Sequence, residues 1–512
     1  MLCLMIAAAC SQRVELKRSI PTPETEELVT VSFATTIGEL PTYLRATTPQ
    51  ELDMKKTIAV KDLRIVLYAN DDTGQPKSVA YTFDRQINIL KGKAAGKDLL
   101  NFDFETGRLE VKQTEKIEVG NYSVLFFLSP TAALKEATAV GKSYDELSKP
   151  IRLDFSERAD QSIIYSIYSN IESPLVIQEK QLKSALSAQL FRIESPTLKA
   201  LTAMVYMKVD EDLKDPKFYI PEGSMCIVYA DAQRNSVVPN PQYSEITLDD
   251  QTKVKIPQSL PYSGLGEEKT VLSQNFVYYN LLNGWDNRHR FGMGDKDKDN
   301  WIMPIPENTL AGSDVNTYTA TRLIIQVPVV PKEIQSDFDQ DLQYAQAQND
   351  LNYGWMKVGK SYYTNRTFRT AYANAIAERT PSATEKLIIQ AGKELTATAT
   401  KARPEDINKS ASLKFPMHNY RSEVIEYYQR GLSYKVLPIR HFSDQQLAKR
   451  NADGRFSVVR NTLYMYHLKI TSIGQCDMEE YDRFIKYDSQ LFPGNVGLGI
   501  SKPTIIFAEH SL

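Results

Sequence analysis

Residues 26–48, with the sequence EELVTVSFATTIGELPTYLRATT, decide how the chain begins to fold. Apolar and β-branched side chains recur there at every second position, at Val29, Val31, Phe33, Thr35 and Ile37. This period of two predicts a half-buried strand rather than a helix. Gly38 and Pro41 follow at once and end the strand. The sequence therefore predicts an N-terminal strand that buries one face.

A polar run, Arg45-Ala46-Thr47-Thr48, follows this strand and is suited to an exposed loop. The Arg45–Ala46 bond is therefore a candidate cleavage site for a trypsin-like protease. Cleavage there would remove a strand around which the rest of the protein had already folded. The alternative is a plain N-terminal strand whose arginine serves solubility, and the strand pattern taken alone favours that alternative.

The composition is that of an ordinary globular protein. The 512 residues are 42% hydrophobic and 24% charged, and at about 150 residues per domain this length predicts two to four domains. The balance of 61 Lys and Arg against 63 Asp and Glu gives no electrostatic argument for a nucleic-acid partner. The 28 Tyr and 19 Phe favour β structure.

The first residues, MLCLMIAAACSQ, resemble the end of a secretory signal. This apolar run is too short to span a bilayer, which takes about 20 residues. Ala7-Ala8-Ala9-Cys10 resembles a bacterial lipobox, in which Cys10 would be acylated and become the new N-terminus. We therefore expect an exported lipoprotein, with the polar residues that follow Cys10 acting as a tether.

The remaining chain predicts two β-rich halves. The first half contains strands at residues 63–68, 78–83, 86–90, 120–130 and 195–209, with short helices at 131–140 and 143–147. The 120–130 strand is the most apolar, which predicts a central strand covered on both faces. The second half contains strands at 225–230, 318–330, 434–439 and 463–473, with helices at 333–351, 372–377 and 382–396.

This pattern predicts a mainly β protein with two β-sandwiches in tandem, the second larger and carrying helical insertions. The charged run at 210–215 marks the boundary. The predicted organisation is a lipoprotein signal at 1–10, a tether and removable strand at 11–45, and sandwiches at 46–209 and 210–512.

Residues 354–361 match the spacing of a phosphate-binding loop, G-x-x-x-x-G-K-[ST]. That loop needs a buried strand before it and a helix that begins at the lysine, so that backbone amides converge on the phosphates. The preceding residues are polar and do not form such a strand. We therefore expect no nucleotide site.

Other chemical motifs are also incomplete. Residues 295–300 carry alternating carboxylates, but Asn300 and Pro306 stand where a calcium loop needs Gly and Glu. The five histidines have no zinc-binding spacing, and no G-x-S-x-G occurs. Cys226 and Cys476 are compatible with a disulfide or with two buried thiols. The sequence thus predicts no enzyme activity, no cofactor and no metal.

Five segments together resemble the fimbrillin family, the FimA/Mfa-type subunits of type V pili. They are the leader that ends at Cys10, the Arg45–Thr48 run, and residues 58–68, 305–309 with 319–321, and 434–439 with 459–470. The resemblance implies two transthyretin-like Greek-key sandwiches and no catalysis. It implies an outer-membrane lipoprotein precursor, cleaved after Arg45 by an arginine-specific, gingipain-type protease, that then enters a surface fimbrium.

The same resemblance implies assembly by donor-strand exchange, with other fimbrial subunits as partners and a host or bacterial surface receptor for adhesion. Loss of Val29, Val31, Phe33 and Ile37 would expose four apolar side chains, each worth roughly 1.5–3 kcal/mol when buried. We expect that loss to leave unpaired backbone along a sheet edge, which a neighbour's strand could occupy.

The C-terminal segment decides between positions in the fimbrium. Polymerising family members carry a donor strand there, whereas residues 504–512 offer only a brief apolar run. We therefore expect a tip or accessory subunit. The alternatives are a major stalk subunit and a surface glycan-binding lipoprotein.

Overall fold

The computed structural model describes residues 27–37, 59–90, 93–95, 100–103, 106–152, 167–210, 216–221, 226–231, 236–258, 290–291, 302–311, 320–348, 352–398, 413–442, 445–449, 452–469 and 472–476. Over these ranges the protein is mainly β, with few helices. This confirms the predicted fold class at that level.

The strands of the first half are β1 (Leu28–Thr36), β2 (Ala59–Asn70), β3 (Pro76–Leu90), β4 (Lys93–Ala95), β5 (Leu100–Asp103), β6 (Arg108–Glu118), β7 (Tyr122–Leu128), β8 (Ile151–Arg152), β9 (Tyr168–Ser169), β10 (Leu175–Ile177), β11 (Phe191–Glu194), β12 (Lys199–Ala200) and β13 (Ala203–Asp210). The helices there are α1 (Ala132–Ala137), α2 (Glu179–Ala185) and a 3-10 turn (Tyr144–Ser148).

The later strands are β14 (Phe218–Tyr219), β15 (Cys226–Asp231), β16 (Ser236–Val237), β17 (Tyr243–Thr247), β18 (Lys253–Pro257), β19 (Arg290–Phe291), β20 (Ile302–Ile305), β21 (Arg322–Pro328), β22 (Val330–Pro331), β23 (Gly354–Val358), β24 (Ser361–Thr364), β25 (Tyr420–Arg421), β26 (Ile425–Gln429), β27 (Leu432–Pro438) and β28 (Leu463–Lys469). The later helices are α3 (Gln335–Gln348), α4 (Asn365–Ala377), α5 (Ala383–Thr398) and a 3-10 turn (Lys332–Ile334).

Two sheets in the first half enclose one hydrophobic core. One is four-stranded, in the order β11-β1-β6-β5, and the other is seven-stranded, in the order β12-β9-β7-β2-β3-β4 with β10 also paired to β7. Val31 and Phe33 from the first sheet join Ile65 and Phe126 from the second in a single buried cluster. These residues therefore form a β-sandwich with β1 in one of its two layers.

The central position predicted for residues 120–130 is confirmed, because all seven residues of β7 are buried. Val124 and Phe126 point into the sandwich core, and Leu125 and Phe127 belong to a second cluster on the opposite face. That second cluster includes Leu134 of α1. The helical connection after β7 thus covers the face that would otherwise meet solvent.

The break predicted between residues 83 and 86 is wrong, because β3 runs without interruption from Pro76 to Leu90. The polar pair Asp84 and Arg85 suggested that break. In the structure Arg64 Nη1 lies 2.6 Å from Asp84 Oδ2, and Arg85 pairs with Glu115. An ion pair with the neighbouring strand β2 and another with β6 of the opposite sheet therefore let two charged residues stand inside a long strand.

The single strand predicted at residues 195–209 is also wrong. β11 ends at Glu194, β12 is a separate short strand, and β13 begins at Ala203 in a different sheet. Pro196 lies between β11 and β12, where it has no N–H to donate to a ladder. The segment 195–209 thus contributes strands to two different sheets.

In the second half, helices α4 and α5 pack on the sheet β24-β23-β26-β25. Phe368 and Tyr372 of α4 share a buried cluster with Ala391 of α5 and Met356 of β23. The helices predicted at 333–351 and 382–396 are confirmed as α3 and α5, whereas the helix predicted at 372–377 is only the last part of α4, which begins at Asn365. Phe338 and Ala345 of α3 are buried, as their helical spacing predicts.

The chain crosses more than once between the two predicted domains. β13 pairs with β20 and lies parallel to β28, and β8 pairs with β16. The boundary near Val209 and the transthyretin-like topology of each half remain predictions. No helix in the described ranges is both long and apolar enough to cross a membrane.

Candidate functional site: the N-terminal strand and its groove

The first described strand is an internal strand of its sheet. β1 runs antiparallel to β6, from Leu28 opposite Glu118 to Thr36 opposite Arg108. On its other side it runs parallel to β11, from Val31 opposite Phe191 to Ala34 opposite Glu194. The expectation that removal of this strand would leave unpaired backbone along a sheet edge stays a prediction, and because strands flank β1 on both sides the unpaired backbone would belong to both β6 and β11.

The inward face of β1 lies in the sandwich core. Val29, Val31, Phe33 and Ile37 are each no more than 3% exposed. The Phe33 ring centroid lies 5.5 Å from that of Phe83 and 6.2 Å from that of Phe126, which belong to the opposite sheet. The residues predicted from the period of two are thus the ones that join the two sheets.

A glycine turn holds the end of the strand. Ile37 N donates to Gly107 O at 2.9 Å, and Leu198 N donates to Thr36 O at 2.8 Å. Gly107 has φ +67, and a Cβ built on it would lie 2.6 Å from Ile37 O. Any other residue at 107 would be strained and would push the end of β1 away.

Four charged side chains meet on the outward face of β1, and we call them the ion clasp: Arg108 and Glu110 of β6, and Arg192 and Glu194 of β11. Arg108 Nη1 lies 2.6 Å from Glu194 Oε1, and Arg192 pairs with Glu110. Arg108 Nε also donates to Glu110 Oε1 at 3.1 Å. Because β1 lies between β6 and β11, two of these ion pairs cross over it.

The clasp lowers the pKa of both its carboxylic acids and covers a small residue. Hydrogen bonds from Arg108 hold the pKa of Glu110 and the pKa of Glu194 below their usual range. Ala34 is opposite both glutamates and is only 1% exposed, although it points away from the core. The sequence reasoning missed this cluster.

A signal for the clasp does exist in the sequence. Residues 108–111 read R-L-E-V and residues 191–194 read F-R-I-E, so each segment alternates apolar residues with opposite charges. Such a pattern is typical of a strand with one buried and one ionic face. Nothing local shows that the two segments flank the same strand.

A second polar cluster joins two of the segments that carry the family resemblance. Arg460 Nε donates to Glu307 Oε1 at 3.0 Å and to Oε2 at 3.1 Å, and Arg460 Nη1 donates to Pro239 O at 2.9 Å. Glu307 and Arg460 are both buried. Burial alone would lower the pKa of Arg460, but the charge and hydrogen bonds of Glu307 leave it raised.

The neighbours of this ion pair tie it to the first half of the chain. Asn461 Oδ1 accepts from Ala200 N at 3.1 Å, and Asn461 N donates to Thr202 O at 3.0 Å. Asn308 and Val458 exchange two backbone hydrogen bonds of 2.8 Å. The contacts of the pair and its neighbours thus join segments that are far apart in the sequence.

The rejected phosphate-loop motif forms a β-hairpin. Residues 354–358 are β23, residues 361–364 are β24, and Gly359 and Lys360 make the turn between them. Trp355 is fully buried and stacks on Tyr428 with ring centroids 4.0 Å apart. The next helix begins only at Asn365. The amides of this segment are thus arranged for a sheet rather than for a phosphate.

Several predicted features lie outside the described residues: Cys10, Arg45, Ala46, residues 295–300 and residues 504–512. Cys476 is a buried thiol that forms no disulfide within the described ranges, and its Sγ lies 3.9 Å from Tyr420 O. The same ranges contain no group of three or more His, Cys, Asp or Glu arranged to hold a metal ion.

No protein-family model and no curated protein matches the sequence. Solved structures do match. A fimbrilin (FimA) from Porphyromonas gingivalis W83 is 13% identical, with 88% of this chain and 92% of that chain covered and a TM-score of 0.37. The tip fimbrial protein Mfa3 from P. gingivalis, with a C-terminal truncation, is 8% identical, with 87% and 96% covered and a TM-score of 0.32.

A candidate cell adhesion protein from Parabacteroides distasonis is 12% identical, with 88% of this chain and 94% of that chain covered and a TM-score of 0.38. The structural neighbours are thus fimbrial and cell-adhesion proteins, in agreement with the fimbrillin resemblance of the sequence motifs.

Proposed function

We propose that this chain is a structural, non-catalytic subunit of a cell-surface fimbrium, and that β1 is replaced during assembly by an extended strand of a neighbouring subunit. The observation that supports this most directly is the position of β1. β1 lies between two other strands of its sheet, although it is the first described strand of the chain. Residues 38–58 connect it to β2. A single cut in that connection would therefore free an internal strand.

Refilling the groove would release free energy that favours assembly. Val29, Val31, Phe33 and Ile37 each contribute roughly 1.5–3 kcal/mol by their burial. Backbone groups of both β6 and β11 also lose their partners when β1 leaves. A donor strand with apolar residues at every second position restores both contributions, and no nucleotide is required.

The maturation steps belong to the same proposal. Cys10 is the lipid anchor of an outer-membrane precursor, and an arginine-specific protease cuts between Arg45 and Ala46. The mature chain then comprises two transthyretin-like sandwiches, 46–209 and 210–512. Support for these steps comes from the lipobox-like and arginine-containing segments of the sequence.

Within the fimbrium we assign the chain a tip or accessory position that contributes to adhesion to a host or bacterial surface. If residues 504–512 were extended as a donor strand, Ile505 and Phe507 would share one face, and Glu509 would follow on that face. Two apolar anchors are about half of the four that β1 places in the core. Such a segment would make a weak donor strand.

A reversible lock on β1 tests the exchange step. Thr30 and Lys116 are opposite each other in β1 and β6, so the full-length double variant Thr30→Cys, Lys116→Cys can be closed by oxidation. We expect the oxidised chain to stay out of filaments and the reduced chain to enter them. Glu245→Cys with Lys255→Cys in the β17–β18 hairpin is the matched control and should enter filaments in both states.

Filaments are isolated from cells and probed for this chain by immunogold labelling. N-terminal sequencing of the same material should give Ala46, with Arg18→Ala as a control that leaves this cleavage unchanged. Oxidised, locked chains inside filaments, or a mature chain that begins at Cys10, would contradict the proposal.

A further inference from the structure

The ion clasp forms a cover over one position of the groove. Arg108 and Glu110 project from one flanking strand and Arg192 and Glu194 from the other, and their ion pairs cross the outward face of β1. The two positive and two negative charges are matched within the clasp. The residue beneath it, Ala34, has a single methyl group and is almost fully covered.

The addition of a strand to a sheet usually tolerates many different sequences in the incoming strand. A covered position on the outward face would make this groove select among those sequences. Backbone hydrogen bonds accept almost any sequence, and the inward pockets select only for apolar side chains. A long side chain at position 34 would have to push the ion pairs apart. A charged side chain there would pair with one member of the clasp and leave another without its partner.

We propose that the ion clasp selects the strand that fills this groove, by admitting only a small, uncharged side chain at the position of Ala34. The partner is an extended segment of a neighbouring subunit with apolar residues facing inward and Ala, Gly or Ser beneath the clasp. This inference rests on the proposed exchange of β1 and adds the sequence rule that the donor obeys.

The same strand supplies a matched control position. Thr30 also points away from the core and is opposite Lys116 of β6. The pairing of β1 with β11 begins at Val31, one residue after Thr30. Thr30 is partly exposed, whereas Ala34 is buried. A leucine at position 30 therefore places the same side chain on the same face without meeting the clasp.

The test uses the full chain with a specific protease site inserted within residues 38–58, so that cleavage leaves β1 bound without a covalent link. Fluorescent peptides of residues 27–37 then compete for the groove, in the native sequence and with Ala34→Leu, Ala34→Ser or Thr30→Leu. We expect the Ala34→Leu peptide to bind at least about tenfold more weakly than the Thr30→Leu peptide, as overpacking of a filled site predicts. The Ala34→Ser peptide should bind like the native one.

Opening the clasp should remove the discrimination. In the chain with Arg108→Ala and Arg192→Ala, the two leucine peptides should bind within about twofold of each other. As a second measurement, Ala34→Leu in the intact chain should lower the melting temperature more than Thr30→Leu. Equal binding of the two leucine peptides to the native groove, with equal melting temperatures, would overturn the inference.

These results separate the clasp from the proposed function. Equal binding would show that the clasp does not select, while leaving strand exchange in the fimbrium intact. Oxidised, locked chains inside filaments would refute strand exchange itself, whatever the peptides show.

Discussion

At the scale of single residues, Phe33 joins the two sheets of the sandwich and Arg460 joins distant segments of the chain. Both are buried, but they act differently. Phe33 contributes apolar contact with Phe83 and Phe126, so its loss leaves a cavity. Arg460 forms an ion pair with the buried carboxylate of Glu307. Removing either member of the pair would therefore leave the other as an uncompensated buried charge.

Replacing Phe33 by alanine in the full chain should lower the free energy of unfolding by about 3–5 kcal/mol, because the deleted ring lies in a closed core. Urea unfolding followed by tyrosine fluorescence measures the change. Leu28→Ala, on the same strand but 48% exposed, is the control and should have little effect. Equal losses in the two variants would show that β1 does not join the two sheets.

Replacing Glu307 by glutamine should destabilise the protein by about 3–5 kcal/mol, because the buried guanidinium of Arg460 would keep its charge without its partner. Thermal unfolding of the full chain tests this. Glu245→Gln breaks the exposed pair with Lys253 and is the matched control, with no measurable change expected. A Glu307→Gln chain as stable as this control would show that the pair does not hold the segments together.

At the scale of elements, β1 is held by three different interactions. Its inward side chains fill the core, its backbone pairs with β6 and β11, and the ion clasp closes over its outward face. Only the clasp depends on charged groups near the surface. Acid therefore gives a way to weaken the hold on β1 without touching the core.

Release of β1 after cleavage within residues 38–58 should be faster at pH 3 than at pH 6. Arg108 keeps the pKa of Glu110 and the pKa of Glu194 below the unfolded value of about 4.3. Their stabilising contribution is therefore complete above that value and is lost as the pH falls through the folded pKa. The displacement rate of β1 by the fluorescent native peptide measures the change.

The chain with Glu110→Gln and Glu194→Gln is the control for this acid effect. Its release rate should vary less between pH 6 and pH 3, since neither position can then lose a charge. The control also reports any effect of acid on the rest of the molecule. An equal acceleration in the native and control chains would show that the clasp does not hold β1.

At the scale of the whole molecule, the two predicted halves are interwoven. β13 lies parallel to β28, and the Glu307–Arg460 pair adds side-chain links between residues far apart in sequence. Links of this kind hold distant segments in one unit, which the proposed exchange of a single strand requires. Under the proposed function, the composition of residues 504–512 bears on whether the subunit can also donate a strand.

Deleting residues 501–512 should leave filament length unchanged, with immunogold labels for this chain only at filament ends. The physical reason is that Ile505 and Phe507 alone cannot replace the four core side chains of β1. Electron microscopy of cells carrying the deletion measures both quantities. Labels along the whole shaft, with filaments lost on deletion, would make the chain a stalk subunit.

The sequence by itself determined the features that depend on near neighbours. The period of two in residues 29–37 predicted β1 and its buried face, and the apolar run at 120–130 predicted a central strand. The turn at Asp71 is also local, because its Oδ1 accepts from Thr73 N and Gln75 N. Helix α3 follows in the same way from the helical spacing of Phe338, Leu342 and Ala345.

Only the tertiary structure decided which strands lie beside β1 and what covers it. Arg192 and Glu110 are 82 residues apart, and Arg460 and Glu307 are 153 residues apart. Periodicity reports which face of an element is buried, but it contains no information about pairing over such distances. The partners are fixed when the whole core closes, since one register alone places Phe33 between the sheets and Ala34 beneath the ion clasp.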